Sequence, residues 1–212
     1  MENYWDSRYR KENKIWGESP SRTAQQALEL FRRNNIRKLL VPGSGYGRNT
    51  RLFSSAGFEV TGIEISTMAS ELAREFDPLS KYYCASVLDM SFLTDTYDAV
   101  YCFNTLHLFL ERDRKMCIEQ CLKRVIDGGL LYFTAFSENE PSFGKGQEVE
   151  HNTYESKPGR PAHYFTEDDL KAHFTGTDLI ETGLTEDHED HGEEGPHTHI
   201  LRYIIVRKTI KG

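Results

Sequence analysis

No stretch of the 212-residue sequence approaches the roughly 20 consecutive apolar residues of a membrane-crossing helix, so no span is expected. Basic residues are outnumbered: 26 Lys and Arg stand against 33 Asp and Glu, a net charge of −7, and they form no stripe. Phosphate neutralisation needs clustered cations, so a nucleic-acid partner is not expected. Nothing apolar follows Met1-Glu2-Asn3-Tyr4-Trp5-Asp6, so no secretory signal is expected and the compartment reads as cytoplasmic. Cysteine is scarce. Cys84, Cys102, Cys117 and Cys121 have the spacing of neither a metal finger nor a disulfide framework. Cys117 and Cys121 share a helical face, where small buried hydrophobes are the default. The length suits one domain, 1–212, with a substantial core.

The informative stretch runs from Arg37 to Ser66. Lys38-Leu39-Leu40-Val41 is too short for a helix and fits a strand buried on both faces. Pro42-Gly43-Ser44-Gly45-Tyr46-Gly47 continues neither element. Its glycines admit positive φ and let a ligand approach the backbone. Arg48 to Ala56 is a helix whose free N–H groups point back at that loop. After Gly57, Phe58 to Ile63 forms the next strand and closes on Glu64, a carboxylate placed to accept from the hydroxyls of a ribose. The unit is a nucleoside-binding half-fold. A dinucleotide fingerprint would read G-x-G-x-x-G. Here Gly43, Gly45 and Gly47 read G-x-G-x-G.

Further along, strands are expected at Lys81–Val87, Tyr97–Phe103 and Leu130–Phe136, alternating with helices at Thr67–Phe76 and Glu111–Val125. That alternation predicts a parallel sheet covered on both faces with right-handed crossovers. Two strands, Asp178–Glu186 and His199–Lys208, finish the chain as a hairpin across an acidic loop. Residues 137–164 break the rhythm as a long polar loop. Attached to the carboxyl end of a central strand, it is expected to hang over the ligand crevice on the substrate side. Both tryptophans fall within residues 1–22, beside Tyr4 and Tyr9, a composition unlike that of a disordered tail. Glu186 to His199 carries four histidines among six acidic residues. The spacing His188-x-x-His191 with His197-x-His199 fits no standard structural metal site. This stretch reads as a solvated hairpin loop, and no metal is predicted.

The glycine pattern, Glu64 and the strand ending Gly62-Ile63-Glu64-Ile65-Ser66 resemble class I S-adenosylmethionine-dependent methyltransferases, especially the thiopurine and tellurite-resistance branch. Val41 departs from the usual motif, which is acidic at that place. The resemblance spans nearly the whole chain and implies a Rossmann-like α/β fold, a doubly wound seven-stranded sheet with an antiparallel last strand. It implies S-adenosylmethionine on Gly43, Ser44, Gly45, Gly47 and Asn49. Glu64 and Ile65 would hold the ribose, Asp89 and Met90 the adenine, and Asn104 and Leu106 the methionine end. Residues 1–22 would be an aromatic lid, with Trp16 and Tyr9 as cofactor-site walls and Tyr9 counted also on the acceptor side. His107 is the candidate general base, or a pocket wall that only hydrogen-bonds. Arg160 would hold an anionic acceptor, and His163 and Tyr164 would face it or simply pack. The implied reaction is methyl transfer to a small molecule, a thiol or chalcogen species. A non-catalytic cofactor- or metal-binding module and a nicotinamide-dependent oxidoreductase remain as alternatives, and oligomeric state is left open.

Overall fold

The computed structural model describes residues 4–190 and 195–210. Its elements in chain order are α1 (Tyr4–Glu12), α2 (Arg22–Arg33), β1 (Lys38–Pro42), α3 (Arg48–Ser55), β2 (Glu59–Glu64), α4 (Thr67–Phe76) and β3 (Lys81–Cys84). Then follow β4 (Tyr97–Cys102), a 3₁₀ turn (Leu106–Leu108), α5 (Glu111–Arg124), β5 (Val125–Phe136), β6 (Gln147–Glu150), β7 (Thr153–Lys157) and β8 (Arg160–His163). The last are α6 (Glu167–His173), β9 (Thr177–Asp190) and β10 (Pro196–Lys208). No helix among the described residues is long and apolar enough to cross a membrane.

Seven strands form one sheet in the order β3-β2-β1-β4-β5-β10-β9. β1 to β5 run parallel, and β10 returns antiparallel between β5 and β9. Side chains alternate across a strand, and this sheet uses both faces. Leu39, Val41, Ala99 and Tyr101 join Ala24, Ala27, Phe31 and Phe53 of α2 and α3 on one side. Leu40, Val100, Cys102 and Phe133 join Cys117, Ile118, Cys121 and Leu170 of α5 and α6 on the other. Burial on both faces makes the central strands continuous apolar runs. The helix starts follow their capping residues. Ser21 Oγ accepts from Ala24 N and Thr166 Oγ1 from Asp169 N, each at 3.2 Å.

The order of strand addition reverses between β1 and β4, and the connecting helices lie on opposite faces on the two sides of that point. The carboxyl ends of these strands therefore open a crevice. The structure corrects the sequence reading in three places above that edge. Residues 137–164 are not an open loop: most of 147–163 forms a second, three-stranded antiparallel sheet, β6-β7-β8. The third strand of the large sheet stops at Cys84, three residues early. The acidic segment from Glu186 is largely strand rather than loop, with His197↔Glu189 and His199↔Asp187 paired in register. Leu201 is level with Phe136 at the end of β5, so the β9–β10 ribbon projects past the sheet's carboxyl edge.

Candidate active site

The glycine turn follows β1 directly. Gly43, Gly45 and Gly47 all have positive φ (69°, 55° and 91°), and a Cβ on Gly43 would lie 2.0 Å from Thr105 Oγ1. The turn is tied to β2 through Gly43 N and Ser44 N, which both donate to Ile63 O at 2.8 and 3.0 Å. Glu64 completes it. Its Oε2 accepts from Gly45 N at 2.9 Å and its Oε1 from Ser66 N at 2.8 Å. Burial raises the Glu64 pKa, and the N–H groups of Ser66, Gly45 and Ile65 work against that rise without cancelling it. Ile65, next in sequence, is half exposed. A carboxylate, an exposed apolar side chain and a glycine turn at a helix N-terminus thus share one edge.

The N-terminal segment lies across this turn. Asp6 on α1 accepts from Ser66 Oγ at 2.7 Å and Met68 N at 3.1 Å, pinning α1 to the start of α4. Tyr9 is buried, and a Cβ on Gly45 would meet its hydroxyl at 3.1 Å. Trp16 stacks on Tyr46 with centroids 6.2 Å apart. Tyr46 in turn donates to Gly17 O at 2.6 Å. Trp16 and Tyr9 therefore both sit over the glycine turn, on the expected cofactor side.

Several expected contacts lie elsewhere. Asn49 Oδ1 accepts from Ser21 N at 2.9 Å, so this buried amide anchors the N-terminal segment instead of facing the crevice. Asp89 is exposed, five residues beyond the end of β3, and closes a turn on Ser91 N at 2.9 Å. Met90 and Leu106 are fully buried members of the core that packs under α5. The early end of β3 accounts for Asp89 and Met90: the residues leaving the strand are Ala85 and Ser86. Asn104, by contrast, does turn at the end of β4. It adopts φ 47°, and its Oδ1 accepts from Thr134 Oγ1 at 3.1 Å.

On the acceptor side, His107 is 3% exposed and lies flat on Phe136, with centroids 3.8 Å apart. Phe136 also stacks with His199 at 5.1 Å and Tyr164 at 5.9 Å. His107 Nδ1 has no hydrogen-bond partner among the described residues. Burial, reinforced by the nearby His199 and His163, lowers the His107 pKa to about 3. So weak a base is poorly matched to proton abstraction at neutral pH. That low basicity argues against the general base. His163 has both ring nitrogens engaged, with Thr153 Oγ1 at 2.8 Å and Asp169 Oδ2 at 2.6 Å. Tyr164 is buried with its hydroxyl donating to Ser142 O at 3.1 Å. These two hold the small sheet in place, the packing alternative of the sequence reading. Arg160 stands over the ring of Tyr4 at 3.7 Å, joining the small sheet to α1.

A buried polar chain was missed by sequence reasoning. Arg48 Nη2 donates to Glu189, and both are under a tenth exposed. Glu189 Oε2 lies 3.7 Å from His199 Nε2, and His199 Nδ1 lies 2.8 Å from Glu140 Oε1. Burial alone would lower the Arg48 pKa, but the adjacent Glu189 carboxylate outweighs it and raises the value. The signal was present as alternation: residues 187, 189, 197 and 199 share one face of the ribbon. It was hidden because every member is polar, and polar alternation does not announce a buried face.

Comparison with known proteins agrees with this geometry. Residues 40–133, from β1 to β5, match a family model described as methyltransferase domain. No curated protein matches the sequence. Among solved structures, TehB from Haemophilus influenzae is 14% identical at a TM-score of 0.69, covering 97% of this chain and 67% of its own. A 1,6-didemethyltoxoflavin-N1-methyltransferase from Burkholderia thailandensis, solved with S-adenosylhomocysteine, is 17% identical at 0.68, covering 98% and 84%. A structure from work on the conversion of a disulfide bond into a thioacetal group during echinomycin biosynthesis is 16% identical at 0.78, covering 98% and 91%. The fold is that of the class I methyltransferases. Residues 40–133, at the centre of that fold, carry the match to the methyltransferase domain.

Proposed function

We propose that this chain is an S-adenosylmethionine-dependent methyltransferase acting on a small-molecule acceptor, a thiol or chalcogen species, and that Glu64 holds the ribose of the cofactor. The observation that carries the site is Glu64 itself, a buried carboxylate at the tip of β2 bonded to the glycine turn. S-adenosylmethionine would lie with its methionine end toward Gly43 to Gly47 and Asn104. Its adenosine would pass Glu64, Ile65 and the Ala85–Ser86 exit from β3. Trp16 and Tyr9 would close over it, and their aromatic faces suit a sulfonium cation.

The methyl group moves by in-line displacement. The bond from the acceptor atom to the methyl carbon forms as the bond from that carbon to the sulfonium breaks, and S-adenosylhomocysteine leaves neutral. Alignment and exclusion of water supply most of the acceleration. A thiolate or heavier-chalcogen anion arrives already deprotonated, which accords with the low basicity of His107. His107 Nδ1 and the face of Phe136 would orient it. The similarity in fold to TehB and to the structure from the disulfide-to-thioacetal work supports such an acceptor. The test is a screen of purified protein with labelled S-adenosylmethionine against thiols, selenite, tellurite, halides and small phenols. Turnover confined to phenols or halides would overturn the acceptor class.

A further inference from the structure

The β9–β10 ribbon and the start of the segment after β5 bring together three groups to which the methyl-transfer chemistry above gives no role. Glu140, His197 and His199 place one ligand atom each within 4.8 Å of the others. We infer that they form a three-ligand site for a divalent transition-metal ion of the zinc class.

Each ligand is prepared for that role. Glu140 is 3% exposed, and its Oε2 is fixed by Ile200 N at 2.7 Å, leaving Oε1 directed at the histidines. From Oε1, His199 Nδ1 lies at 2.8 Å and His197 Nε2 at 3.8 Å. Tetrahedral ligands at ordinary zinc distances lie about 3.4 Å apart, so adjustments of under about 1.5 Å close the set. His197, half exposed at the rim, can make them. Glu140 has no Lys or Arg within ion-pair reach among the described residues, and a cation would supply the missing charge.

The supporting shell is the stronger argument. An ion on His199 Nδ1 requires the hydrogen on Nε2, and Nε2 faces the Glu189 carboxylate at 3.7 Å. Carboxylate, histidine and metal in series is the arrangement that orients a metal-binding imidazole. Glu189 is itself held by Arg48 at the first turn of α3, immediately after the glycine turn. Two histidines and one glutamate supply three of the four ligands of a tetrahedral site. Open three-ligand sites of this composition bind water or substrate.

Tag-free protein would be dialysed to equilibrium against Zn²⁺ and, separately, Co²⁺, with S-adenosylhomocysteine binding measured on the same samples. The expected result is one ion per chain and the intense visible bands of four-coordinate Co²⁺. His197→Ala and Glu140→Gln should each weaken binding at least tenfold, and Glu189→Gln by about 10–100-fold, with S-adenosylhomocysteine affinity unchanged in His197→Ala. No saturable uptake at micromolar metal, or uptake unaltered in both His197→Ala and Glu140→Gln, would overturn the site. The cofactor measurement reports separately on the methyltransferase reading, so the two failures are distinguishable.

Discussion

Replacement of Glu64 by Gln should separate binding from folding. In the folded chain Glu64 accepts from Gly45 N and Ser66 N. The Gln amide nitrogen cannot accept, so one of these N–H groups loses its partner at a cost of about 1 kcal/mol. Against that, the native carboxylate is buried and its pKa is raised above 4.5. A carboxyl raised on folding contributes stability that is fully present below its unfolded pKa and is lost as pH rises through its folded pKa. At neutral pH the native protein therefore carries this charge at a net cost, which Gln removes. The two terms offset, and Glu64→Gln should melt within a few degrees of wild type. Ligand binding should respond differently. A ribose diol donates two hydrogen bonds to the carboxylate, each worth at least about 1.5 kcal/mol to a charged acceptor. Removal of the charge should cost about 3 kcal/mol, roughly 100-fold in affinity. Calorimetric titration with S-adenosylmethionine and S-adenosylhomocysteine reads this directly. In wild type the affinity should fall on acidification with a midpoint above 4.5, because the protonated acid loses acceptors. A folded Glu64→Gln protein that binds both ligands with native affinity would refute the ribose assignment.

Breaking the Arg48–Glu189 pair should show that the acidic ribbon has a structural role. Arg48→Met removes the cation beside the buried Glu189 carboxylate and should cost about 3–5 kcal/mol in urea unfolding, with Arg48→Met/Glu189→Leu recovering much of it. His107→Asn should leave the pH profile of kcat/KM without a lost limb between pH 5 and 8, since His107 titrates at about 3. A neutral-pH limb present in wild type and absent in the variant would restore the general base. Gly43→Ala should fail to fold or lose several kcal/mol, because its Cβ lands 2.0 Å from Thr105 Oγ1. Adding Thr105→Gly should leave mainly the left-handed backbone term of about 1 kcal/mol.

The glycine-turn half of the candidate site was legible in the residues because it is local. Gly43 to Glu64 is one strand–turn–helix–strand unit, and its apolar runs, glycines and terminal carboxylate lie within a single crossover. Short-range sterics and hydrophobic pattern settle such a unit without help from distant segments. Asp89 and Met90 were misplaced for a related reason. The end of β3 is set by its pairing with β2, which stops at Glu64↔Cys84, and Lys81 to Val87 contains no signal for that stop. The sequence by itself determined the sheet, its covering helices, the glycine turn and Glu64. Only the tertiary structure decided the acceptor side. There β5, the small sheet and the β9–β10 ribbon converge from distant positions, as where Ser137 Oγ donates to Ile200 O, 63 residues away. Polar groups such as Glu140, Glu189 and His199 read as solvated in a chain and become buried partners only when those segments meet. Their cost of burial is offset pairwise, across the fold, by one another.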